Sequence, residues 1–425
     1  MITIVIIIRQ LRVTDHRALQ RAMTYGDPIV PVVCHPNLGQ TPSFMGWPRM
    51  GPWNELFWVQ SALDFCQSIM ARGGTPIVTT QSPSDIIQEL IQRAMLGRII
   101  MTQEWGTDEA RAQANVRHLA QANSIPCETV IDGTLLRHVD NGAPPTSFRK
   151  FFDWAMSEVS YSVPKDIPPV MQGWRFPEVL GDPLFGEQVW PESPVGGLTG
   201  GETAVKAHLH DYIWESKSVL HYHRTRNQLM GHHASSMLSA ALAFGCLSPQ
   251  MVMHSLDALT QNDGPNEGVD KLQYELMWRE FFVSQYRWSH QCGTTGDWFK
   301  VGGLAGHSVG SLLTDRADKW VNARTGHSFV DANMRQLRAT GFMSNRGRQN
   351  VASYWVHDLG QDWRYGAAVF DHFLVDANVP NNYGNWMTIA GVRSDAPKKV
   401  FNVDFQAERY DPKQTFIKKW GTMRL

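Results

Sequence analysis

The residues with the clearest chemical potential lie on one face of a helical pattern over residues 271–288. At spacings of three, four and seven, this face carries Glu275, Trp278, Arg279 and Phe282. A carboxylate, an indole and a guanidinium are not buried against an apolar neighbour without polar partners. We therefore expect the polar groups of this stripe of four residues to have partners. Taken alone, an ordinary amphipathic helix with a charged, aromatic-edged face is the better interpretation.

A second group crowds the start of a helical pattern within residues 340–360. Its polar side chains are those of Asn345, Arg346, Arg348, Gln349 and Asn350. Because cations are disfavoured at the amino end of a helix, their presence there indicates that an anion or an acidic partner is held. Asp376 is the candidate partner, and a solvated basic turn is the alternative.

A third group, residues 381–386, is polar, contains glycine and ends in Trp386. Asparagine amides are neutral donors and acceptors, so the asparagines of this run could serve a ring nitrogen whose protonation changes with its redox state. Ordinary turn chemistry explains this asparagine- and glycine-rich run equally well.

The elements that would position these groups are of two kinds. Before about residue 131, short apolar runs alternate with helical stretches, which predicts βαβ units and a parallel sheet. The predicted strands are residues 2–8, 29–34, 76–79 and 98–101, and the predicted helices are residues 56–70 and 86–95. Neither a GxGxxG motif nor a P-loop motif accompanies these strands, so we expect no nucleotide phosphate there.

Residues 132–196 are rich in proline and glycine and are predicted to connect two domains, with a short helix over 148–155. Beyond residue 197 helices take over: Ser248 supplies a capping hydroxyl before Pro249, and Gly360 is a helix stop. The sequence therefore predicts an α/β Rossmann-like domain over residues 1–131 and an all-α domain over residues 197–425.

Composition limits the classes of function. The 425 residues are enough for more than one domain, and the five cysteines stand apart with no CxxC pair, so we expect reduced thiols and no metal site. The apolar run 2–8 is too short to span a membrane and lacks a signal-peptide layout. We therefore expect a cytoplasmic protein, or an organellar or nuclear one in a eukaryote, that binds no membrane.

Charge gives little support for nucleic-acid binding at the level of the whole chain. The net charge is −1, and residues 197–425 carry 24 Lys+Arg against 21 Asp+Glu. An interaction with nucleic acid must therefore rest on the local distribution of charge. The 16 tryptophans, in contrast, are many for a chain of this length.

Five ordered strings of the carboxy-terminal half resemble the photolyase and cryptochrome family, namely residues 200–204, 276–282, 329–335, 340–353 and 382–386. SNRGRQNVAS and NYGNW are similar to the DASH cryptochromes, since ordinary photolyases usually carry a different residue in place of Gln349. The amino-terminal half resembles the family's α/β antenna domain more loosely, through Arg9 and residues 11–13, 18–19 and 148–150.

The resemblance implies that the helical domain holds FAD in a folded-back conformation. It implies a pyrophosphate at a serine-rich loop, an ion pair of Arg348 with Asp376 beside the flavin ring, and Asn382 at flavin N5. The full set of implied cofactor-binding residues is Tyr222, Ser235, Ser236, Met237, Leu238, Ser239, Arg279, Phe282, Asn345, Arg348, Asp376, Asn378 and Asn382.

The implied chemistry is that of a deoxyribodipyrimidine photolyase. Excited reduced flavin gives an electron to a cyclobutane pyrimidine dimer in DNA, the ring splits, and the electron returns. Turning the lesion out of the stack costs least in a single strand, in keeping with the single-strand preference of DASH proteins. The implied lesion contacts are Glu275, Trp278, Asn345 and Gln349. We expect the protein to be monomeric.

Trp386 and Trp363 match the first two members of the family's tryptophan chain, which reduces the flavin, and with Asn382 they are the implied catalytic residues. Core packing is the alternative role for both indoles. The third member of the chain is replaced, because Gly310 stands at its position.

Further departures bear on the cofactor and on repair. Met237 stands in place of a basic residue near the phosphates, Ala234 replaces an aromatic residue, and Asn378 replaces a second aspartate. Thr388 replaces an aromatic that lines the lesion pocket, where stacking is worth ~1–3 kcal/mol per base. Two alternatives therefore stay open: a blue-light receptor of the cryptochrome class with little or no repair, and a nucleic-acid-binding module without functional flavin.

An antenna pigment is the last expectation. Glu104 aligns with a carboxylate that contacts 5,10-methenyltetrahydrofolate in relatives, so the resemblance allows that folate as a second chromophore. A lone glutamate is more often a surface residue, which is the alternative interpretation of Glu104.

Overall fold

The computed structural model describes residues 1–36, 48–93, 96–104, 106–136, 142–158, 163–167, 199–231, 233–291, 314–393 and 399–423. Residues 168–196 of the predicted connection, and Gly310, lie outside the described residues.

The amino-terminal half is an α/β domain with a five-stranded sheet of order β3-β2-β1-β4-β5, in which every adjacent pair is parallel. Its strands are β1 (Ile2–Ile7), β2 (Ile29–Cys34), β3 (Ile77–Thr79), β4 (Leu96–Thr102) and β5 (Cys127–Val130). Its helices are α1 (Arg17–Met23), α2 (Pro52–Ala71), α3 (Pro83–Gln92) and α4 (Thr107–Ala122). The predicted parallel sheet is confirmed. The fifth strand was not predicted because it is half-buried and carries no apolar run.

The sheet is covered on both faces, which explains why β1 consists almost entirely of apolar residues. Successive side chains of a strand point to opposite faces. Val5 and Ile7 join one hydrophobic cluster with α1 and α2, whereas Ile4 and Ile6 join another with α3 and α4.

The carboxy-terminal half is helical, as predicted. Its α-helices are α6 (Glu202–His210), α7 (Tyr222–Thr225), α8 (Ser239–Phe244), α9 (Pro249–Asp263), α10 (Glu267–Gln291), α11 (Thr314–Val321), α12 (Ser328–Thr340), α13 (Asn345–Ser353), α14 (Trp363–Phe373), α15 (Val379–Ala390), α16 (Val403–Tyr410) and α17 (Thr415–Gly421). The short helix predicted within the connection, over residues 148–155, is present as α5 (Phe148–Glu158). The hydroxyl of Ser248 accepts a hydrogen bond from the Met251 amide at 3.1 Å, so the expected cap of α9 forms.

Buried polar contacts join the two halves. Arg12 is fully buried, and its guanidinium contacts Asp132 at 2.5 Å and the Gly245 carbonyl at 2.9 Å. The Trp53 indole of α2 donates to the Arg338 carbonyl at 2.9 Å. The contacts that cross between the halves are the hydrogen bonds to the Gly245 and Arg338 carbonyls, and leaving a buried donor without its acceptor costs roughly 1–3 kcal/mol, so these contacts fix the orientation of the helical half against the sheet.

The segment after β5 anchors α10 directly. The Leu135 amide donates to Glu280 at 2.8 Å, the Thr134 hydroxyl bonds to the same carboxylate, and Arg287 donates to the Leu136 carbonyl at 3.3 Å. Because Glu280 is almost fully buried, this bonding sets the rotation of α10 about its axis. The stripe singled out in the sequence belongs to this helix.

Candidate functional site

A single cavity of about 780 Å³ lies in the helical half and is lined by most of the residues singled out in the sequence. It brings together Tyr222, Ser235, Ser236, Met237, Leu238, Ser239, Glu275, Trp278, Arg279, Phe282, Asn345, Arg348, Gln349, Asp376, Asn378, Asn382, Trp386 and Thr388. Trp363 and Glu104 do not line it. The cavity is large enough for a dinucleotide-sized ligand and still leaves an opening.

Helix α10 presents its predicted stripe to this cavity. Glu275 is held by Arg226 at 2.8 Å and by Lys271 at 2.9 Å. The Arg279 guanidinium donates to the Gly133 carbonyl, in the segment after β5, at 2.9 Å. The polar groups of the stripe therefore have partners, and its four residues line the cavity.

Trp278 is held rigidly by an aromatic neighbour on α5. Its ring lies parallel to that of Phe148, with centroids 3.6 Å apart and an interplanar angle of 4°. One face of the indole is thus covered, and the rest of the ring lines the cavity. The sequence did not single out Phe148 as a partner of Trp278, because no local pattern links the two helices.

The start of α13 lies at the cavity wall. The Ser344 hydroxyl caps the helix by accepting from the Gly347 amide at 3.0 Å. Arg348 pairs with Asp376 at 3.0 Å, and the Asp376 side chain is only 5% exposed. The alternative of a solvated basic turn is therefore wrong at Arg348. Arg346, in contrast, points to Asn227 at 2.9 Å and lies over the ring of Tyr410.

Two buried oxygen atoms at this wall accept no hydrogen bond from any part of the chain that the structure describes: Asp376 Oδ1 and Gln349 Oε1. Both residues line the cavity. A buried acceptor without a donor costs roughly 1–3 kcal/mol, so a ligand that supplies donors here recovers that free energy. Ring N–H and sugar hydroxyl groups are donors of this kind.

Asn382 is oriented by α14. Its Nδ2 donates to the Ala367 carbonyl at 2.8 Å and to Asp371 at 2.7 Å. Since two acceptors fix the amide nitrogen, its oxygen is left to accept a hydrogen bond from a ligand in the cavity. Asp371 is buried, and burial raises the pKa of its carboxyl above the ordinary value.

The serine-rich loop before α8 forms another wall. Met237 adopts a left-handed backbone with φ of 53°, and its sulfur accepts from the Ser235 hydroxyl at 3.3 Å. The cations that line the cavity are Arg226, Lys271, Arg279, Arg348, Lys399 and Lys419. Lys399, Lys419 and the neighbouring Trp420 were not predicted, because they are distant in sequence from every motif.

The tryptophans form a buried cluster behind the cavity. Trp386 lines the cavity and lies 6.3 Å from Trp320, whose ring is 4.6 Å from that of Trp355. Trp363 is 4% exposed and lies 6.0 Å from Tyr383. Gly366, one turn after Trp363, packs directly on the Trp386 ring, so α14 and α15 are in close contact.

Glu104 lies in the first domain, away from the cavity. It is 3% exposed, so the interpretation of Glu104 as a surface residue is wrong. Burial raises the pKa of its carboxyl to about 8, although the positive charge of Arg9 acts to lower it. Burial acts to raise the pKa of the neighbouring Glu109 as well, but the positive charges of Arg49 and Arg9 outweigh it and lower that pKa to about 2.

Within the described residues, no helix is long and apolar enough to cross a bilayer. The same part of the chain holds no cluster of three His, Cys, Asp or Glu side chains suited to a metal ion.

Comparison with known proteins agrees with this architecture. The family description "DNA photolyase" matches residues 3–170, and "FAD binding domain of DNA photolyase" matches residues 272–422. A protein of Natronomonas pharaonis named Cryptochrome DASH is 35% identical over 96% of this chain and 88% of its own length. The corresponding protein of Synechocystis sp. is 32% identical over 96% of this chain and 85% of its own length.

Solved structures give the same result. The crystal structure of the Synechocystis cryptochrome superimposes with a TM-score of 0.88 at 31% identity, covering 99% of this chain and 88% of that one. A class III photolyase of Agrobacterium tumefaciens shares the fold, with a TM-score of 0.83 at 22% identity over 98% of this chain and 86% of its own.

The chain therefore belongs to the photolyase and cryptochrome family of flavoproteins, and its cofactor is FAD. Within that family, relatives named Cryptochrome DASH match nearly its full length at 32–35% identity.

Proposed function

We propose that this protein uses FAD and blue light to split cyclobutane pyrimidine dimers, with a preference for single-stranded DNA. The observation that carries the proposal is the shared cavity, in which the candidate lesion contacts Glu275, Trp278 and Gln349 open onto the same space as Asn382 and Trp386. Electron transfer needs donor and acceptor close together, and one cavity supports that arrangement.

The bound flavin supplies the photochemistry and the electron. The protein's part is to hold and orient. The Asn382 oxygen would accept from a flavin ring N–H, and Asp376 would offer a second acceptor whose charge is balanced by Arg348. Where the ligand excludes water from the cavity, such fixed dipoles act more strongly than water would.

The lesion would be held by polar and aromatic contacts. Pyrimidine rings present an imide N–H and carbonyl oxygens, so the Glu275 carboxylate, fixed by Arg226 and Lys271, can accept from the imide. The Gln349 oxygen is a second acceptor that lacks a donor in the described chain. Trp278 offers a rigid apolar surface for stacking.

The preference for single strands follows from the resemblance to DASH proteins and from the cost of unstacking. A base enters a pocket only after leaving the stack, which costs a few kcal/mol in a duplex and much less in a single strand. Trp278 can repay part of that cost by stacking, but Thr388 presents no aromatic face for a second stacked base.

Repair should be tested with purified protein that carries reduced FAD. Single-stranded and duplex oligonucleotides with one thymine dimer are illuminated with blue light, and dimer loss is followed by chromatography, with dark samples as controls. Dimer loss that requires light and is faster on single strands is expected. Bound flavin with no dimer loss on either substrate would refute the repair function.

The second candidate function is a blue-light receptor with little repair, and Thr388 favours it. The Thr388 hydroxyl donates to the Gly384 carbonyl at 2.8 Å and accepts from Arg393 at 3.2 Å, so it is committed to the protein itself. Light-dependent change in proteolytic protection of a flavin-loaded sample that does not repair dimers would support this candidate.

A further inference from the structure

A segment of the first domain that contains Arg49 docks on α14 at Asp371. The Asn54 side chain of this segment donates to the Asp371 carbonyl at 3.0 Å. Gly51 permits the close approach, because a Cβ at that position would overlap the carbonyl oxygen of His372. The docking brings the Arg49 guanidinium close enough to the Asp371 carboxyl group for their charges to interact.

Arg49 belongs to a largely buried set of charges that balance. Its guanidinium pairs with both carboxylate oxygens of Glu109, at 2.8 and 3.0 Å, and Glu109 also lies 3.6 Å from Arg9. Glu104, the other neighbour of Arg9, is largely uncharged at neutral pH, because burial raises its pKa to about 8. Two guanidinium groups therefore face two buried carboxylates, those of Glu109 and Asp371.

The hydrogen bonds around Asp371 suit its charged form. Asn382 Nδ2 donates to this carboxyl group at 2.7 Å, and the Tyr383 phenol is hydrogen-bonded to the same group. A carboxylate only accepts, whereas a carboxylic acid carries a donor of its own that competes with these two. Burial raises the pKa of Asp371, and the positive charge of Arg49 is the largest effect that opposes this rise. Arg49 thus favours the form that the two donors need.

We propose that Arg49 is a positioning residue for the flavin, which acts through Asp371 to keep the Asn382 oxygen turned towards flavin N5. The inference rests on the proposed function, in which Asn382 accepts from a flavin ring N–H. A flipped amide would direct its oxygen at two acceptors, the Asp371 carboxylate and the Ala367 carbonyl. In the observed orientation the oxygen suits an N5–H, which reduced flavin carries and oxidised flavin lacks. The first domain thus favours the reduced state of a cofactor held by the second.

Loss of the Arg49 charge should release the amide. Two buried carboxyl groups would then face one guanidinium, so one of them takes a proton. Asp371 is the one that does so, because burial raises its pKa, whereas Glu109 keeps Arg9 as a neighbour. The new hydroxyl of Asp371 can donate to the oxygen of a flipped Asn382. The amide nitrogen would then face N5, where a donor suits oxidised flavin.

The test is the midpoint potential of the flavin in the loaded full chain, measured by optical redox titration. Arg49→Gln should make reduction about tenfold less favourable, the effect of one hydrogen bond, which lowers the potential by about 30 mV for two electrons. Arg49→Lys keeps the charge and should keep the potential. Asn54→Ala is the matched control, because it loosens the same docking contact without removing a charge, and it should also keep the potential.

A double-mutant cycle with Asn382 shows whether the effect passes through the amide. In the background of Asn382→Ala, the further change Arg49→Gln should leave the potential unaltered. A shift that persists in that background would overturn the inference, because it would be a direct effect of charge on the flavin. An unchanged potential in Arg49→Gln alone would overturn it as well.

Infrared spectroscopy of the apoprotein tests the proton transfer without the cofactor, and so applies even to a variant that binds FAD poorly. At neutral pH, Arg49→Gln should show one more protonated carboxyl group than the unaltered protein. The additional band should disappear on the further change Asp371→Asn. Spectra without an additional band would contradict the role of Arg49.

These readouts are separate from repair. The expected shift in potential, in a protein that splits no dimers, would leave the inference standing and count against the repair function alone. Repair by a protein whose flavin potential is insensitive to Arg49 would do the reverse.

Discussion

Replacing Arg348 by glutamine should weaken FAD binding by about two orders of magnitude. Arg348 is paired with Asp376 at 3.0 Å, and the Asp376 side chain is 5% exposed. In the variant, the shorter glutamine side chain leaves space through which water from the cavity can reach the Asp376 carboxylate until FAD enters. Once FAD excludes that water, the variant must bury an unpaired charge.

The magnitude follows from the burial of the pair. Removing one partner of a buried ion pair costs roughly 3–5 kcal/mol. Because the Arg348 side chain is 25% exposed, we take the low end, ~3 kcal/mol, which corresponds to about a 100-fold increase in Kd.

The assay is titration of the apoprotein with FAD, followed by flavin fluorescence or calorimetry. Asp376→Asn and the double variant complete a cycle that isolates the coupling between the two side chains. The double variant should recover most of the affinity for FAD, because it leaves no buried charge unpaired. Arg346→Gln is the matched control on the same helix, since Arg346 contacts Asn227 and Tyr410 rather than the cavity.

An increase in Kd of less than about fivefold in Arg348→Gln would refute this reasoning. That is the effect expected from an exposed ion pair worth up to ~1 kcal/mol. The same conclusion would follow if Arg346→Gln weakened FAD binding as much as Arg348→Gln did.

Three further predictions follow from other parts of the molecule. Thr388→Trp should tighten the binding of dimer-containing single strands by ~1–3 kcal/mol in a filter-binding assay, because the added indole can stack on a base. Unchanged affinity would show that the cavity has no room for a stacked base there. Gln349→Leu should remove an acceptor from the candidate lesion contacts and raise the Kd for the dimer without changing FAD content, measured by absorbance; equal binding would remove Gln349 from the site. Glu104→Gln should change the pH dependence of stability, because the pKa of Glu104 is raised from 4.5 to about 8 in the folded state. The unaltered protein should lose stability as pH rises from 4.5 to 8, and the variant should lose less. Melting temperatures that fall in parallel with pH in the two proteins would contradict the raised pKa.

Much of the fold could be predicted from local patterns. The apolar run at residues 2–8 is nearly coextensive with β1, because a strand covered on both faces needs apolar residues at every position. The helix predicted over residues 271–288 is longer in the structure, Glu267–Gln291, because glutamate and glycine at its start gave no apolar signal. β5 escaped prediction for the same reason.

The candidate site was predicted as a set of residues but not as an arrangement. Spacing on one helix brought Glu275, Trp278 and Arg279 together on one face. It could not show that the Trp278 ring is covered by Phe148, or that Asp371 holds both Asn382 and Tyr383. These contacts join separate elements, and no periodicity within a single segment encodes them.

The position of α10 depends on both halves of the chain. Glu280 faces away from the cavity and accepts from the Leu135 amide at 2.8 Å, while Arg279, its neighbour in sequence, reaches the Gly133 carbonyl at 2.9 Å. Adjacent residues of a helix differ by about 100° in direction, so two such anchors fix the rotation of the helix. Glu275 and Trp278 lie on the face that this rotation turns towards the cavity. Without residues 133–135 the buried Glu280 carboxylate would have fewer hydrogen-bond donors, which costs free energy. Rotation of α10 could relieve that cost by turning the carboxylate towards other donors. The segment after β5 thus contributes to the candidate lesion site by setting the rotation of the helix that carries it.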